Sequence, residues 1–308
     1  MLSIVIPTYR REQVLIDTIE SLQPLRENLD CPTELLVIDQ TEQHNPATEV
    51  ALRCWSQAGV IRWLHLPRPH LTKAMNTGLK EALGDIVLYL DDDIIPDLNL
   101  LSGHLNVHGL YPEALAVVGQ VLQPGQFPRR CRRAFSQSCF WRDLDFPFNS
   151  VDACWIENVI ACNLSLKRFP CIEKGGFDEC FPPPVASRFE TEFAKRLVRL
   201  GGKIRFEPSA SIRHLAAGSG GTRSRGSHLT SASPRYGVGD CYFAFRCATG
   251  LELVWYLVRK PFREVRTKFH LLHPWWVPVK FIGEIRALLQ AWSLARRPPS
   301  LIDSSDQS

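Results

Sequence analysis

Short apolar runs alternate with stretches of helical period over the first hundred residues. Leu2 to Pro7 reads as a buried strand, and Gln13 to Leu25 follows with Val14, Leu15, Thr18, Ile19 and Leu22 on one helical face. Glu34 to Asp39 is a second strand and Val60 to Leu66 a third. Leu71 to Leu83 places Leu71, Ala74, Met75, Leu79 and Ala82 inward on a helix that Gly84 ends, and Asp85 to Leu90 is a fourth strand. This β-α-β alternation predicts an α/β fold: a Rossmann-like, mostly parallel sheet with helices on both faces.

The middle is less regular. Ala114 to Val121 and Val159 to Lys167 read as strands. Gln123 to Phe148, rich in Pro, Arg and aromatics, reads as a loop or inserted hairpin. Thr191 to Leu200 is a helix stopped by Gly201-Gly202, and Lys203 to Phe206 is a short strand. Gly218 to Arg235 is a low-complexity loop. Beyond it, Cys241 to Val258 is helical and apolar, and His270 to Trp292 carries the stripe Phe281, Ile285, Leu288, Trp292. A soft boundary near Gly237 divides residues 1–236, a catalytic domain, from 237–308, a helical, amphipathic C-terminal region.

Composition changes this picture little. The chain has 308 residues, 45% apolar and 22% charged, with a net charge of +4. It can bury a sizeable core. Without a long basic stripe it is not read as a nucleic-acid binder, although it suits a polyanionic small substrate or an acidic membrane surface. No two of the ten cysteines are spaced as Cys-x-x-Cys, and reduced, buried thiols of a cytoplasmic protein are expected. The N-terminus lacks the pattern of a signal peptide, and no run of about 20 apolar residues suggests a membrane span.

The chemistry gathers where the predicted strands end. The first ends in Pro7-Thr8-Tyr9-Arg10, the second in Asp39, the fourth in Asp91-Asp92-Asp93. Ligands of open α/β sheets bind beyond the carboxyl ends of the strands. Three adjacent carboxylates repel one another by several kcal/mol, roughly, unless a cation neutralises them. Oxygen ligands suit Mg2+ or Mn2+, which could bridge the phosphates of a nucleotide diphosphate. The alternative is a solvated acidic turn before a helix, capped by Asp97.

These residues resemble the family 2 glycosyltransferases, which have the GT-A fold. The matching segments are Ser3 to Tyr9, Asp39, Lys73 to Gly78, Gly84 to Asp93, Asn163, Gly175 to Glu179, Glu190 and His214, in order over roughly residues 1–220. The resemblance implies an inverting enzyme that moves a sugar from a nucleotide diphosphate sugar to a hydroxyl of a saccharide or lipid-linked acceptor. Pro7, Thr8 and Tyr9 would hold the base, with Asp39 recognising it. Asp93 would bind the metal directly, Asp91 the ribose or a metal-bound water, and His214 the metal and diphosphate. Lys73 stands near the nucleotide, on a helix that lacks the family's arginine. Asp92 would touch the sugar or support its loop; Trp155, Glu157 and Asn163 would stand at the acceptor. Asn76 would orient the first-strand loop or cap locally.

By the same resemblance Glu190 is the base that takes the acceptor proton. It departs from the family's acidic pair, since Phe189 precedes it, and it could instead only complement a helix N-terminus. Glu192 is its rival. Arg213, Arg223 and Arg225 could clamp the diphosphate or belong to a solvated linker. Trp275, Trp276, Trp292 and the basic residues Arg259, Lys260, Arg263, Arg266 and Lys268 suggest a segment lying on the inner face of a membrane, or else a helical pair packed on the domain. A non-catalytic nucleotide-sugar scaffold is a second reading. Nucleotidyl transfer is a third, which Pro7-Thr8-Tyr9 disfavours because that class opens with a glycine-rich loop.

Overall fold

A computed structural model describes residues 1–131, 137–183, 185–221 and 227–303. Arg223 and Arg225 lie outside them. One nine-stranded sheet organises the chain. Its strands are β1 (Leu2–Thr8), β2 (Thr33–Asp39), β3 (Arg62–His65), β4 (Ile86–Leu90), β5 (Ile94–Pro96), β6 (Ala114–Leu122), β7 (Cys154–Ile156), β8 (Asn163–Lys167) and β9 (Lys203–His214). They run in the order β3-β2-β1-β4-β8-β6-β9-β5, with β7 on β9. The half formed by β3, β2, β1 and β4 is parallel. Strand β8 then enters antiparallel between β4 and β6. The sheet is therefore mixed, with its regular parallel half at the N-terminal side.

Alternation along β1 builds two cores. Leu2, Ile4 and Ile6 point to one face and meet Leu15, Ile16 and Ile19 of α1 (Gln13–Glu27) and Leu52 of α2 (Pro46–Gln57). Val5 points to the other and meets Ala74, Met75 and Leu79 of α3 (Leu71–Glu81). Each such side chain, fully withdrawn from water, contributes about 1.5–3 kcal/mol. Helix α3 lies so close to β1 that a Cβ on Gly78 would come within 2.4 Å of Val5 Cγ1.

The remaining helices are α4 (Leu100–Leu110), α5 (Arg168–Glu173), α6 (Phe189–Arg199), α7 (Val238–Cys247), α8 (Gly250–Val265), α9 (Lys268–Leu272) and α10 (Trp276–Ala295). The predicted helix over Cys241 to Val258 is two helices, broken where Gly250 takes φ +52°. His270 to Trp292 is likewise interrupted at His273–Trp275, around Pro274, which cannot donate to a helix ladder. Val238, Tyr242 and Phe243 of α7 are buried in the same core as Val5 and Phe193. The core thus crosses Gly237 without a break.

Helix α10 turns its small and charged side inward. Lys280, Gly283, Glu284, Ala287 and Ala291 are buried, whereas Ile285 and Trp292 of the expected stripe are exposed. Small residues let α10 approach α7 and α8 closely. Lys260 and Lys280 both pair with Glu284 in this seam. Lys260 is accordingly a buried ion-pair partner and not a surface cation.

Candidate active site

The carboxyl ends of β1 and β4 open on a cavity of about 460 Å³. Pro7, Thr8 and Tyr9 line it from β1, Asp91 to Asp93 from the end of β4, His214 from the end of β9, and Glu190 from the first turn of α6. Residues scattered over more than two hundred positions meet here because parallel strands deliver their C-terminal ends to one edge.

The acidic run has three distinct environments. Asp91 is half exposed. Asp93 is buried, and its Oδ2 accepts from the backbone of Ala217 at 2.8 Å and from Arg11 at 3.2 Å. His214 Nε2 stands 3.1 Å from Asp91 Oδ2 and 3.3 Å from Asp93 Oδ1. One ligand atom from each of Asp91, Asp93 and His214 lies within 4.8 Å of the others. Two carboxylates and an imidazole converging in this way fit a divalent cation by the chemistry of the donor set. Asp92 instead points at its own chain: Thr8 Oγ1 donates to it at 2.7 Å and Arg11 Nε lies 3.1 Å away. Burial pushes its carboxyl up to about 7, against the pull of Arg11 and Thr8.

Arg11 is the residue that sequence reasoning missed. Its buried guanidinium faces Asp92 and Asp93 and also donates to the carbonyls of Ala217 and Ser219. It ties the loop after β9 to the loop after β1. Gly220 makes the approach possible: at φ +79°, a Cβ there would fall 2.3 Å from Arg10 O.

Glu190 and Glu192 are separated by their partners. Glu192 is buried and forked onto Arg196, at 2.8 and 3.1 Å. Arg196 in turn holds the carbonyls of Lys174 and Gly176. Glu192 is committed to this clamp and does not line the cavity. Glu190 does. Burial pushes its carboxyl up to about 7, opposed by its own amide, while the nearby charge of Asp91 adds to the rise. The Arg188 charge and the Ala161 amide pull it down.

The structure does not bring every expected residue to the cavity. The carboxylate of Asp39 is sealed beneath the floor. Its Oδ2 faces His44 Nε2 at 2.8 Å and accepts from Trp63 Nε1 at 2.9 Å, and its Oδ1 accepts from the Thr41 amide at 2.9 Å. Burial alone would raise its pKa, but these bonds hold it below the usual value. Gln40, the next residue, lines the cavity in its place. Lys73 is exposed on α3 and outside the lining.

Asn163 is wholly buried. It donates to the carbonyls of Gln120 and Ala210, and its Oδ1 meets His104 Nε2 at 2.8 Å. It joins β8 to β6, β9 and α4 rather than facing a ligand. Burial pushes His104 down to about 4 and His108 beside it down to about 3, so the network is neutral at neutral pH. Trp155 packs edge-on against Tyr111 beneath the Arg205 guanidinium, away from the lining. Asn76 spends its side-chain hydrogen bonds elsewhere among the described residues: it clamps Phe177 through both backbone groups and donates to Glu179.

A parallel half-sheet with an acidic cluster at its carboxyl edge, extended by an antiparallel insertion, is the GT-A type of fold. The family model described as glycosyl transferase family 2 matches residues 3–171, more than half of the chain. The chain belongs to that family.

Solved structures agree on the fold. GalNAc-T7 with UDP, GalNAc and Mn2+ superposes with a TM-score of 0.56 at 13% identity, over 86% of this chain and 57% of that one. The chain thus spans little more than half the length of that protein. TarS residues 1–349 of S. aureus, with UDP-GlcNAc, gives 0.58 at 15% identity, covering 96% and 88%. The mannosyltransferase PcManGT of Pyrobaculum calidifontis, with GDP-Man and Mn2+, gives 0.52 at 16%, covering 95% and 75%. Comparison with curated proteins finds no match.

Proposed function

We propose that the chain is an inverting glycosyltransferase that moves a sugar from a nucleotide diphosphate sugar to a hydroxyl acceptor. The observation that carries this reading is that Glu190, with its carboxyl near neutrality, opens on the same cavity as Asp91, Asp93 and His214. A divalent cation on those three residues would neutralise charge on the leaving diphosphate. Glu190 takes the proton of the acceptor hydroxyl as its oxygen bonds to the anomeric carbon. The bond from that carbon to the diphosphate breaks on the opposite face, and the configuration inverts. Tyr9, with Arg10 over its ring at 5.1 Å, offers its other face to the base. The imidazole in the donor set favours Mn2+ over Mg2+, which demands near-ideal oxygen coordination.

A thermal-shift screen of nucleotide sugars with and without Mn2+ tests the reading. One donor should stabilise the protein only with the metal, and Asp93→Asn should abolish that shift. A screen without any shift would favour the scaffold reading, as would binding without turnover.

The C-terminal helices support a peripheral membrane position and a polysaccharide or glycolipid acceptor. No helix among the described residues is long and apolar enough to cross a membrane. Helix α8, however, exposes Leu251, Val254, Val258 and Phe262 at helical spacing, and Leu271, Leu272 and Trp275 are exposed nearby. Arg266 and Lys268 are exposed on the same segments. Aromatics and cations beside an apolar stripe suit the headgroup zone of an anionic bilayer. The full-length protein should float with vesicles containing phosphatidylglycerol, and Leu251→Glu/Val258→Glu should remain in the pellet fraction. Equal flotation of the two proteins would end the membrane reading.

A further inference from the structure

A second cavity, of about 350 Å³, opens between α8 and the loop around Trp141 and Leu144. Trp141, Trp255 and Tyr256 give it aromatic walls. Four cations, Arg188, Arg259, Lys260 and Arg263, line it against the single carboxylate of Asp145.

Three of those cations are engaged by the protein. The buried carboxylate of Asp240 accepts from Arg188 at 3.3 Å, from Arg263 at 3.0 Å and from the Tyr256 hydroxyl at 2.7 Å. Lys260 pairs with Glu284 and lies 3.8 Å from Asp240; Arg263 also reaches Glu264. Arg259 differs. It is exposed and has no hydrogen-bond or ion-pair partner among the described residues. Asp145, with a side chain 91% exposed, is held among the described residues by Arg188 alone, at 3.4 Å. An incoming anion therefore finds one uncommitted guanidinium, and a second whose surface partner is easily displaced.

Arg188 lines both cavities. It stands left-handed at φ 65° at the start of α6, and its side chain reaches Leu144 O at 2.7 Å. Glu190 is two residues further along, facing the main cavity. The two spaces thus share a wall at Arg188, beside the proposed base.

We propose that this second cavity is a subsite for an acidic saccharide acceptor. The sugar ring rests on the Trp255 and Trp141 side while its phosphate or carboxylate is held by Arg259 and Arg188. A guanidinium fork suits either oxyanion, and aromatic faces suit a sugar ring. The proposal rests on the glycosyl-transfer reading above and adds the acceptor's chemical class to it.

Saturation-transfer NMR on the full-length protein tests it, with UDP and Mn2+ present to fill the main cavity. The probes are glucose 1-phosphate, glucose and inorganic phosphate, the last observed by competition. Glucose 1-phosphate should bind at least about tenfold more tightly than either of the others, because ring and anion both contribute. Arg259→Ala, an exposed change, should lose roughly that factor while keeping the melting temperature and the UDP–Mn2+ thermal shift.

Unchanged binding of glucose 1-phosphate by Arg259→Ala overturns the proposal. So does equal binding of glucose, or of inorganic phosphate alone. A defect of Arg259→Ala confined to phosphatidylglycerol vesicles would also overturn it, by making Arg259 a lipid headgroup contact. Loss of the UDP–Mn2+ shift in the unaltered protein is a separate result: it removes the glycosyl-transfer reading whatever the sugar phosphate does.

Discussion

Glu190→Gln should lower the rate of sugar transfer by roughly 10²–10⁴-fold, the usual contribution of a positioned base. Donor KM should change little, because the amide keeps the shape of the side chain and removes only the proton acceptor. The pH profile supplies an independent readout. Burial holds the Glu190 carboxyl at about 7, so the base is lost as pH falls through that value. Activity should drop about tenfold per pH unit below 7, and this limb should vanish in the residual activity of the Gln variant.

Stability should move the other way. A raised carboxyl pKa means that the fold binds the proton more tightly than the unfolded chain does. Its contribution is full below the unfolded value and is lost as pH rises through about 7. At pH 8 the Gln variant should therefore melt at or above the temperature of the unaltered protein. An inactive variant that also melts much lower would point to misfolding. An active one would remove Glu190 from the mechanism.

The second large effect concerns Arg11. Arg11→Met keeps the side-chain bulk but leaves Asp92 and Asp93 facing each other in a buried loop without their guanidinium. Removing one partner of a buried ion pair costs about 3–5 kcal/mol. For a domain of this size the melting temperature should fall by roughly 10 °C. The loss should be larger at pH 8 than at pH 5, because the stranded Asp92 carboxyl, which burial pushes up to about 7, protonates as pH falls. Added Mn2+ should recover part of it by supplying the missing positive charge. Thermal unfolding at both pH values, with and without the metal, reads these three effects together. A variant that melts like the unaltered protein at pH 8 would show that the loop is held by other contacts.

Much of the parallel half-sheet was legible because it depends on local pattern. The strands β1, β2 and β4 and the helices α1 and α3 fall within about two residues of the positions that periodicity predicts. Helix α2 escaped notice because only Thr48 and Leu52 of it are buried, so its apolar stripe is too thin to register. Strand β9 was read too short. Its pairing with β6 shifts register between Gly119 and Gln120, and Pro208 interrupts the alternation there. The Asp91–Asp93 run, Glu190 and His214 were legible from motif and order, and the fold brings them into one cavity.

What sequence could not supply was the identity of each residue's partners. Asp39 reads as a ligand-facing acid at a strand end, but His44 and Trp63, from a loop and a neighbouring strand, occupy it. Asn163 reads as a polar residue on an alternating strand. Its partners on β6, β9 and α4 are set by topology and not by spacing. Arg11 follows a recognisable motif by two positions, yet its importance depends on a loop more than two hundred residues later.

Asp178 has a consequence for the C-terminal helices. Its Oδ2 accepts from Tyr242 on α7, and its Oδ1 accepts from the amide of Ser300, beyond the end of α10. Ile302 continues this return by donating to Gly175 O. The helices therefore form an excursion whose entrance and exit are fastened to one carboxylate. Closing such a long loop lowers chain entropy only slowly with length. Once one end is held, the other is kept at high local concentration. Detaching the tail would thus be felt at α7, although no described residue of the tail lines the cavity of the proposed catalytic groups.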